Sequence, residues 1–210
     1  MRKLSALAFL FLSIIAFFSC QTTGGASSKA GLYKPGEIIK GKDGKPLEYR
    51  NKSLGIAVDI SSNAIVIPRE SLDLMETEEK KVDFMMSHAD LSGKTVMVAV
   101  ENMGEEYEQM DDELVTWLLM ENPTFVATYS EQFKQSIEAR GYTVKDVYVD
   151  EVDFMGEDTL IFCLEGEMAS IPIVYFVIFT KVGRYLRNVL VGATSYDYCL
   201  EQLGKIRRYQ

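Results

Sequence analysis

An α+β fold is predicted for this chain: an antiparallel β-sheet ending in a C-terminal four-strand meander, flanked by helices. Three observations predict it. Apolar side chains recur with period two through four successive segments between Tyr142 and Ala193, the spacing of half-buried strands. The connections between those segments are too short to hold a crossover helix, so neighbouring strands must run antiparallel. Helix signals stand before and after this block, not between its strands, which argues against a doubly wound parallel sheet.

In chain order, residues 32–47 read as an irregular lead-in with a turn at Lys42-Asp43-Gly44-Lys45, followed by Pro46. Glu48 to Ile60 reads as extended: Ile56, Val58 and Ile60 alternate with Ala57 and Asp59, and Gly55 marks a bulge or turn. Ala64 to Ile67 is a second short strand, stopped by Pro68. A helix is predicted within Ser71–His88 from the spacing of Leu72, Met75, Glu79 and Val82, with Glu76 to Lys81 as its solvated face. Leu91 to Lys94 turns into the strand Thr95–Val100. An acidic loop, Glu101 to Asp112, leads to a helix over Glu113–Met120. Asn122-Pro123 is a second helix start, Asn at the cap and Pro in the first helical position. That helix runs to about Arg140, with Phe125, Tyr129, Phe133 and Ile137 along one face, and Gly141 stops it. The meander then comprises a strand from Tyr142, a turn at Met155-Gly156-Glu157-Asp158, and strands Thr159–Met168, Ile171–Lys181 and Arg184–Ala193. Ser195 or Asp197 caps a last helix carrying Leu200, Leu203 and Ile206, with Arg207 and Arg208 at its C-terminal end.

The first 32 residues follow a different logic. Arg2 and Lys3 precede an apolar run, Leu4 to Phe18, which is long enough for a secretory leader and short for a membrane span. The apolarity ends at Ser19-Cys20. The stretch Ala16-Phe17-Phe18-Ser19-Cys20 resembles a bacterial lipobox, the site where diacylglycerol is attached to a cysteine thiol. Phe17 and Phe18 replace the Leu and small residue of the strict pattern, so the likeness is to the relaxed lipobox of spirochaetes. The resemblance implies cleavage before Cys20, lipid on Cys20, and a lipoprotein of the cell envelope, at the outer membrane or the periplasmic leaflet of the inner one. An ordinary secretory leader with an incidental cysteine is the competing reading. Residues 21–31 lack hydrophobic periodicity and read as a flexible tether. The expected organisation is a signal peptide at 1–19, a lipidated cysteine with tether and lead-in at 20–47, and one domain at 48–210.

Composition supports a globular fold: 47% of residues are hydrophobic and 11% aromatic. The chain carries a net charge of −9, which becomes −11 when Arg2 and Lys3 leave with the leader. No basic footprint for nucleic acid is present. The expected partners are the membrane, through lipid on Cys20, and an envelope protein.

The layout from 48 to 208 resembles the PsbP-like α/β/α sandwich, a fold shared by a photosystem II extrinsic protein and many bacterial secreted proteins. The residues that carry the resemblance are the strand Leu54-Gly55-Ile56-Ala57-Val58-Asp59-Ile60, the helix end at Gly141-Tyr142-Thr143-Val144, and the hairpin Phe154-Met155-Gly156-Glu157-Asp158. Ser61-Ser62-Asn63-Ala64 stands where that family has a Pro-x-x-Trp turn. The resemblance implies binding or assembly more than catalysis and transfers no ligand residues.

Constellations for chemistry are sparse. His88 is the single histidine, so a Ser-His-Asp triad or a histidine metal site would have to rest on it alone. No G-x-S-x-G, G-x-G-x-x-G or C-x-x-C motif occurs, and no cofactor is expected. Glu105, Glu106, Glu108, Asp111, Asp112 and Glu113 form the densest carboxylate cluster. They read as a solvated loop and helix start, with a divalent-cation or small-ligand site at 105–113 as the alternative function. Asp150, Glu151, Asp153, Glu157 and Asp158 form a second set, with Glu151 and Asp153 on an exposed strand face. Trp117 is read as core packing, Phe84-Met85-Met86 as core filling or an adaptable partner patch, and His88 as a surface or helix-end residue. Cys163 and Cys199 are either a disulfide that staples the last helix to the sheet or two separately buried thiols.

Overall fold

The computed structural model describes residues 33–76, 80–90 and 92–210. The leader, Cys20 and residues 21–31 lie outside them.

The fold is α+β, with every strand pairing antiparallel. A four-stranded sheet has the order β1 (Glu37–Lys40), β2 (Pro46–Asn51), β3 (Ile56–Asp59), β11 (Ile206–Arg208). A seven-stranded sheet has the order β4 (Ala64–Val66), β5 (Lys80–His88), β6 (Thr95–Asn102), β10 (Tyr185–Ala193), β9 (Ile171–Val182), β8 (Glu157–Met168), β7 (Thr143–Phe154). The meander expected from 142 to 193 is β7 to β10, neighbour beside neighbour. Pairing of β10 with β6 attaches it to the N-terminal strands.

Period two places alternate residues of the large sheet in two separate cores. Val96, Val98, Val189, Val191, Phe176 and Ile178 face the small sheet, meeting Tyr49, Leu54, Ile56 and Val58. Met97, Ala99, Leu190, Val177, Phe162 and Leu164 face the helices. Those helices are α1 (Arg69–Asp73), the π-helical turn Trp117–Glu121 and α4 (Pro123–Glu138); the short α2 (Glu105–Glu108) and α3 (Asp112–Thr116), which runs into the π turn, bury Tyr107 and Val115 in a smaller cluster with Leu186. The last helix, α5 (Tyr196–Leu203), buries Cys199 and Leu203 with the small sheet.

The helix starts follow the sequence. Asp111 accepts from the backbone N–H of Glu113 and Leu114, Asn122 from Thr124 and Phe125, and Ser195 from Tyr198. Each such cap stabilises by about 1 kcal/mol.

Several expectations are corrected. The lead-in is not irregular, because β1 pairs with β2 around the Asp43-Gly44 turn; four residues are too few to display a period. The helix expected in Ser71–His88 is only α1, and the rest is strand β5. Asp83 occupies a β-bulge: Val82 faces Ala99 and Phe84 faces Val98. The extra residue breaks the alternation and leaves a spacing that imitates a helix. The last helix stops before Gly204, and Ile206, Arg207 and Arg208 form the edge strand β11. The helix expected over 113–120 is interrupted by the π turn. That turn brings Met120, five residues on, to the buried side with Val115; Leu114 and Trp117 lie off that side and are exposed, so Trp117 is not core packing.

Two-residue hairpin turns join the meander strands. Met155-Gly156 has φ of 57° and 82°, and Ala169-Ser170 has 49° and 66°. Positive φ at both positions is the twist-compatible hairpin geometry that Asn-Gly adopts most readily. Ala169 and Ser170 therefore sit in a conformation that disfavours a Cβ by roughly 1 to 2 kcal/mol per residue. The double variant Ala169→Asn/Ser170→Gly is expected to raise unfolding stability by about 1 to 2 kcal/mol. Urea denaturation checks this; an unchanged or lower midpoint contradicts it.

Candidate functional site: a cationic groove above a buried carboxylate

The bulge on β5 turns Asp83 towards the small sheet, where its side chain is fully enclosed. A carboxylate in that position needs donors, because an unpaired buried charge costs several kcal/mol. Three converge on its Oδ2: the backbone N–H of Gly36 at 2.9 Å, Asn51 Nδ2 at 2.8 Å, and the Tyr49 hydroxyl. On the Oδ1 side, the Arg69 guanidinium stands 3.9 Å away while donating to the Val82 carbonyl at 3.0 Å. Asn51 is shared. Its Nδ2 also donates to the Tyr33 hydroxyl at 2.8 Å, and its Oδ1 accepts from Leu54 N–H at 2.9 Å. Burial, reinforced by the negative charge of Asp83, pushes both tyrosine hydroxyls far above their usual titration range. Both stay neutral, and Tyr49 serves as a donor. The Tyr49 ring stacks on Phe84 at 4.5 Å.

This network pins the lead-in, residues 33–37, across the end of β2. Above it lies an open groove of about 290 Å³. Lys34, Pro35 and Glu37 form one wall, Arg50, Asn51, Lys52 and Ser53 the other, and Tyr209 closes an end. The Arg50 guanidinium lies 5.4 Å from the Tyr209 ring centroid. Glu48, almost buried beneath, is shared by Arg50 and Arg207. Lys34 and Lys52 are exposed and have no ion-pair partner among the described residues. The groove thus presents three cations against one carboxylate, an arrangement suited to an anion. No sequence motif marks these residues, because the groove unites three separate segments and the spacing around Asp83 imitates a helix.

The candidate residues of the sequence are dispersed in the structure. His88 is buried at the end of β5, not on a surface or a helix end. Burial lowers its pKa, helped by Lys205 and Lys94. Asp90, 3.9 Å from Nδ1, acts in the opposite sense but is half exposed. In the acidic loop, Arg184 pairs with Glu105 and Glu108 at 3.5 and 3.2 Å, Lys181 pairs with Asp112 at 2.8 Å, and Asp111 is the cap of α3. In the second set, Glu151 and Asp153 are exposed, Asp150 accepts from the Tyr196 hydroxyl, and Glu157 pairs with Arg208. Among the described residues, no three His, Cys, Asp or Glu side chains are grouped to hold a metal ion. Met85 packs under the helices, while Phe84 and Met86 pack under the small sheet. Cys163 and Cys199 are both buried free thiols in this structure, and Cys199 donates to the Val174 carbonyl. Burial pushes the Cys163 thiol up to about 11.

The sequence matches no protein-family model and no curated protein. A crystal structure from Bacteroides thetaiotaomicron VPI-5482 is similar at 7% identity with a TM-score of 0.43; the match covers 78% of this chain and 48% of that one.

Asp83→Ala removes the acceptor shared by Gly36, Tyr49 and Asn51 and is expected to cost about 3 to 5 kcal/mol, against about 1.5 for Tyr49→Phe. Equal, small losses in urea unfolding would contradict the hub role of Asp83. His88 gives a second prediction. Its folded pKa lies below the unfolded value of about 6.5, so below that pH the unfolded chain takes up the proton first and stability falls. Proton NMR of the single imidazole should give a titration midpoint below 6.5, and His88→Gln should reduce the stability lost between neutral pH and pH 5.

Proposed function

We propose that this protein is a lipid-anchored lipoprotein of the cell envelope whose α+β domain binds or assembles a partner rather than catalysing a reaction. The observation that carries the reading is the order of the leader: basic Arg2 and Lys3, an apolar core, then Ser19-Cys20 where the apolarity stops. Each buried acyl CH₂ adds about 0.8 kcal/mol, so a multiply acylated cysteine holds firmly. Among the described residues no helix is long and apolar enough to cross a membrane. The commitments of the polar side chains favour binding over chemistry. The acidic loop is largely engaged with Arg184 and Lys181, Asp83 is engaged in holding the lead-in, and His88 lies inside the fold. The PsbP-like resemblance points the same way.

Cys20→Ala expressed in a lipidating bacterium should lose detergent-phase partitioning and accumulate as uncleaved or wrongly processed protein; normal cleavage and unchanged partitioning would end the anchor reading. Crosslinking in intact envelopes, followed by capture of the lipidated chain from detergent, should retain a specific protein. Recovery of the bait alone counts against the partner reading.

A further inference from the structure

The charge of this protein is divided between its two sheets. Residues 33–60 and 204–210, which build the small sheet, carry nine Lys and Arg against four Asp and Glu, a net +5. Residues 61–203 carry ten against 27, a net −17. The domain is therefore strongly polar in the electrostatic sense. Within the small-sheet segments Lys45, Arg50, Lys205, Arg207 and Arg208 each have a carboxylate partner. Lys34, Lys40, Lys42 and Lys52, on the small sheet, have none among the described residues.

The groove lies at the end of the small sheet where the chain leaves the domain towards Cys20. Tyr33 is bonded to Asn51, which lines the groove, so the chain's exit and the cationic mouth are one place. Twelve residues lie between Cys20 and Tyr33, a reach of at most about 45 Å when fully extended. The Asp83 network keeps Lys34 against the mouth by fixing Gly36 and Asn51.

We infer that this groove docks on the phosphate headgroups of anionic phospholipids in the membrane that holds the anchor. Lys34, Arg50 and Lys52 are the contacts, and the acidic body is repelled to the far side. The domain then stands on its small sheet, and the faces carrying Leu114 and Trp117 are directed away from the groove's contact with the bilayer. This inference rests on the anchor reading for its biological setting, but the groove can be tested without the lipid.

The test uses the mature chain from residue 20 with Cys20→Ser, so that no acyl chain is present. Cosedimentation is measured with vesicles of phosphatidylglycerol and phosphatidylcholine in equal parts, and with phosphatidylcholine alone, at low salt. Partitioning should be about tenfold stronger on the anionic vesicles and should collapse at high salt, where the Debye length falls to about 3 Å. Lys34→Gln/Lys52→Gln should abolish the preference, while Lys145→Gln, on the edge strand β7 of the large sheet and not part of the groove, should leave it unchanged. Circular dichroism and melting of each variant establish that it is folded. Equal binding to both vesicle types overturns the inference, as does an equal loss in Lys145→Gln. Full competition by millimolar inorganic phosphate at constant ionic strength also overturns it, since the groove would then be a site for the free anion. Failure of Cys20→Ala to release the protein would sink the anchor and leave the vesicle result standing.

Discussion

Strands β6, β8, β9 and β10 bury apolar side chains on both faces of the large sheet. That constraint governs the rest of the architecture. A sheet with two apolar faces must be covered twice, and the chain covers it with different materials. The small sheet and α5 lie on one face, and α1, the π turn and α4 lie on the other. Each cover is thin. The small sheet has four short strands, and β11, with only three residues, is contributed by the C-terminus. Its attachment needs more than apolar contact.

Polar side chains supply that attachment. Asp83 reaches from the large sheet to hold Gly36, Tyr49 and Asn51 of the small one. Arg187 reaches from β10 to the Leu54 carbonyl at 2.6 Å and to Thr180 at 2.8 Å, and its burial pushes its pKa down to about 10. Both side chains cross the interface between the sheets and satisfy backbone or amide groups that would otherwise be orphaned. The apolar surface drives the layers together without direction, whereas these bonds set how the small sheet sits on the large one. The position of the groove follows, since Lys34, Arg50 and Lys52 are carried by the segments that Asp83 holds.

The helix-covered face has the opposite character. Its aromatic cluster is tightly packed: Tyr129 lies 4.5 Å from Phe162 and 5.4 Å from Phe179. Yet the Tyr129 hydroxyl and the fully buried Asn188 amide have no hydrogen-bond partner among the described residues. The stability of this layer comes from apolar area, against a small polar cost. The layer also leaves Leu114 and Trp117 exposed at its surface.

The sequence alone determined the α+β class, the meander and the capped helix starts, because these rest on short-range physics: period-two alternation over long strands, tight turns, and Asn122, Asp111 or Ser195 placed to bond nearby N–H groups. It also carries the leader pattern around Cys20. Tertiary structure decided what depends on residues far apart in the chain. Strand β5 was disguised by one extra residue at Asp83, and β1 and β11 are too short to show a period without their partners. Trp117 faces outward because the buried side of this helix runs through Val115 and Met120, five residues apart across a π turn, a spacing without a local composition signal. The groove was illegible for the same reason: residues 34–37, 50–53 and 209 become neighbours only when the small sheet closes. The side chain that holds its inner wall in place, Asp83, lies in a fourth segment.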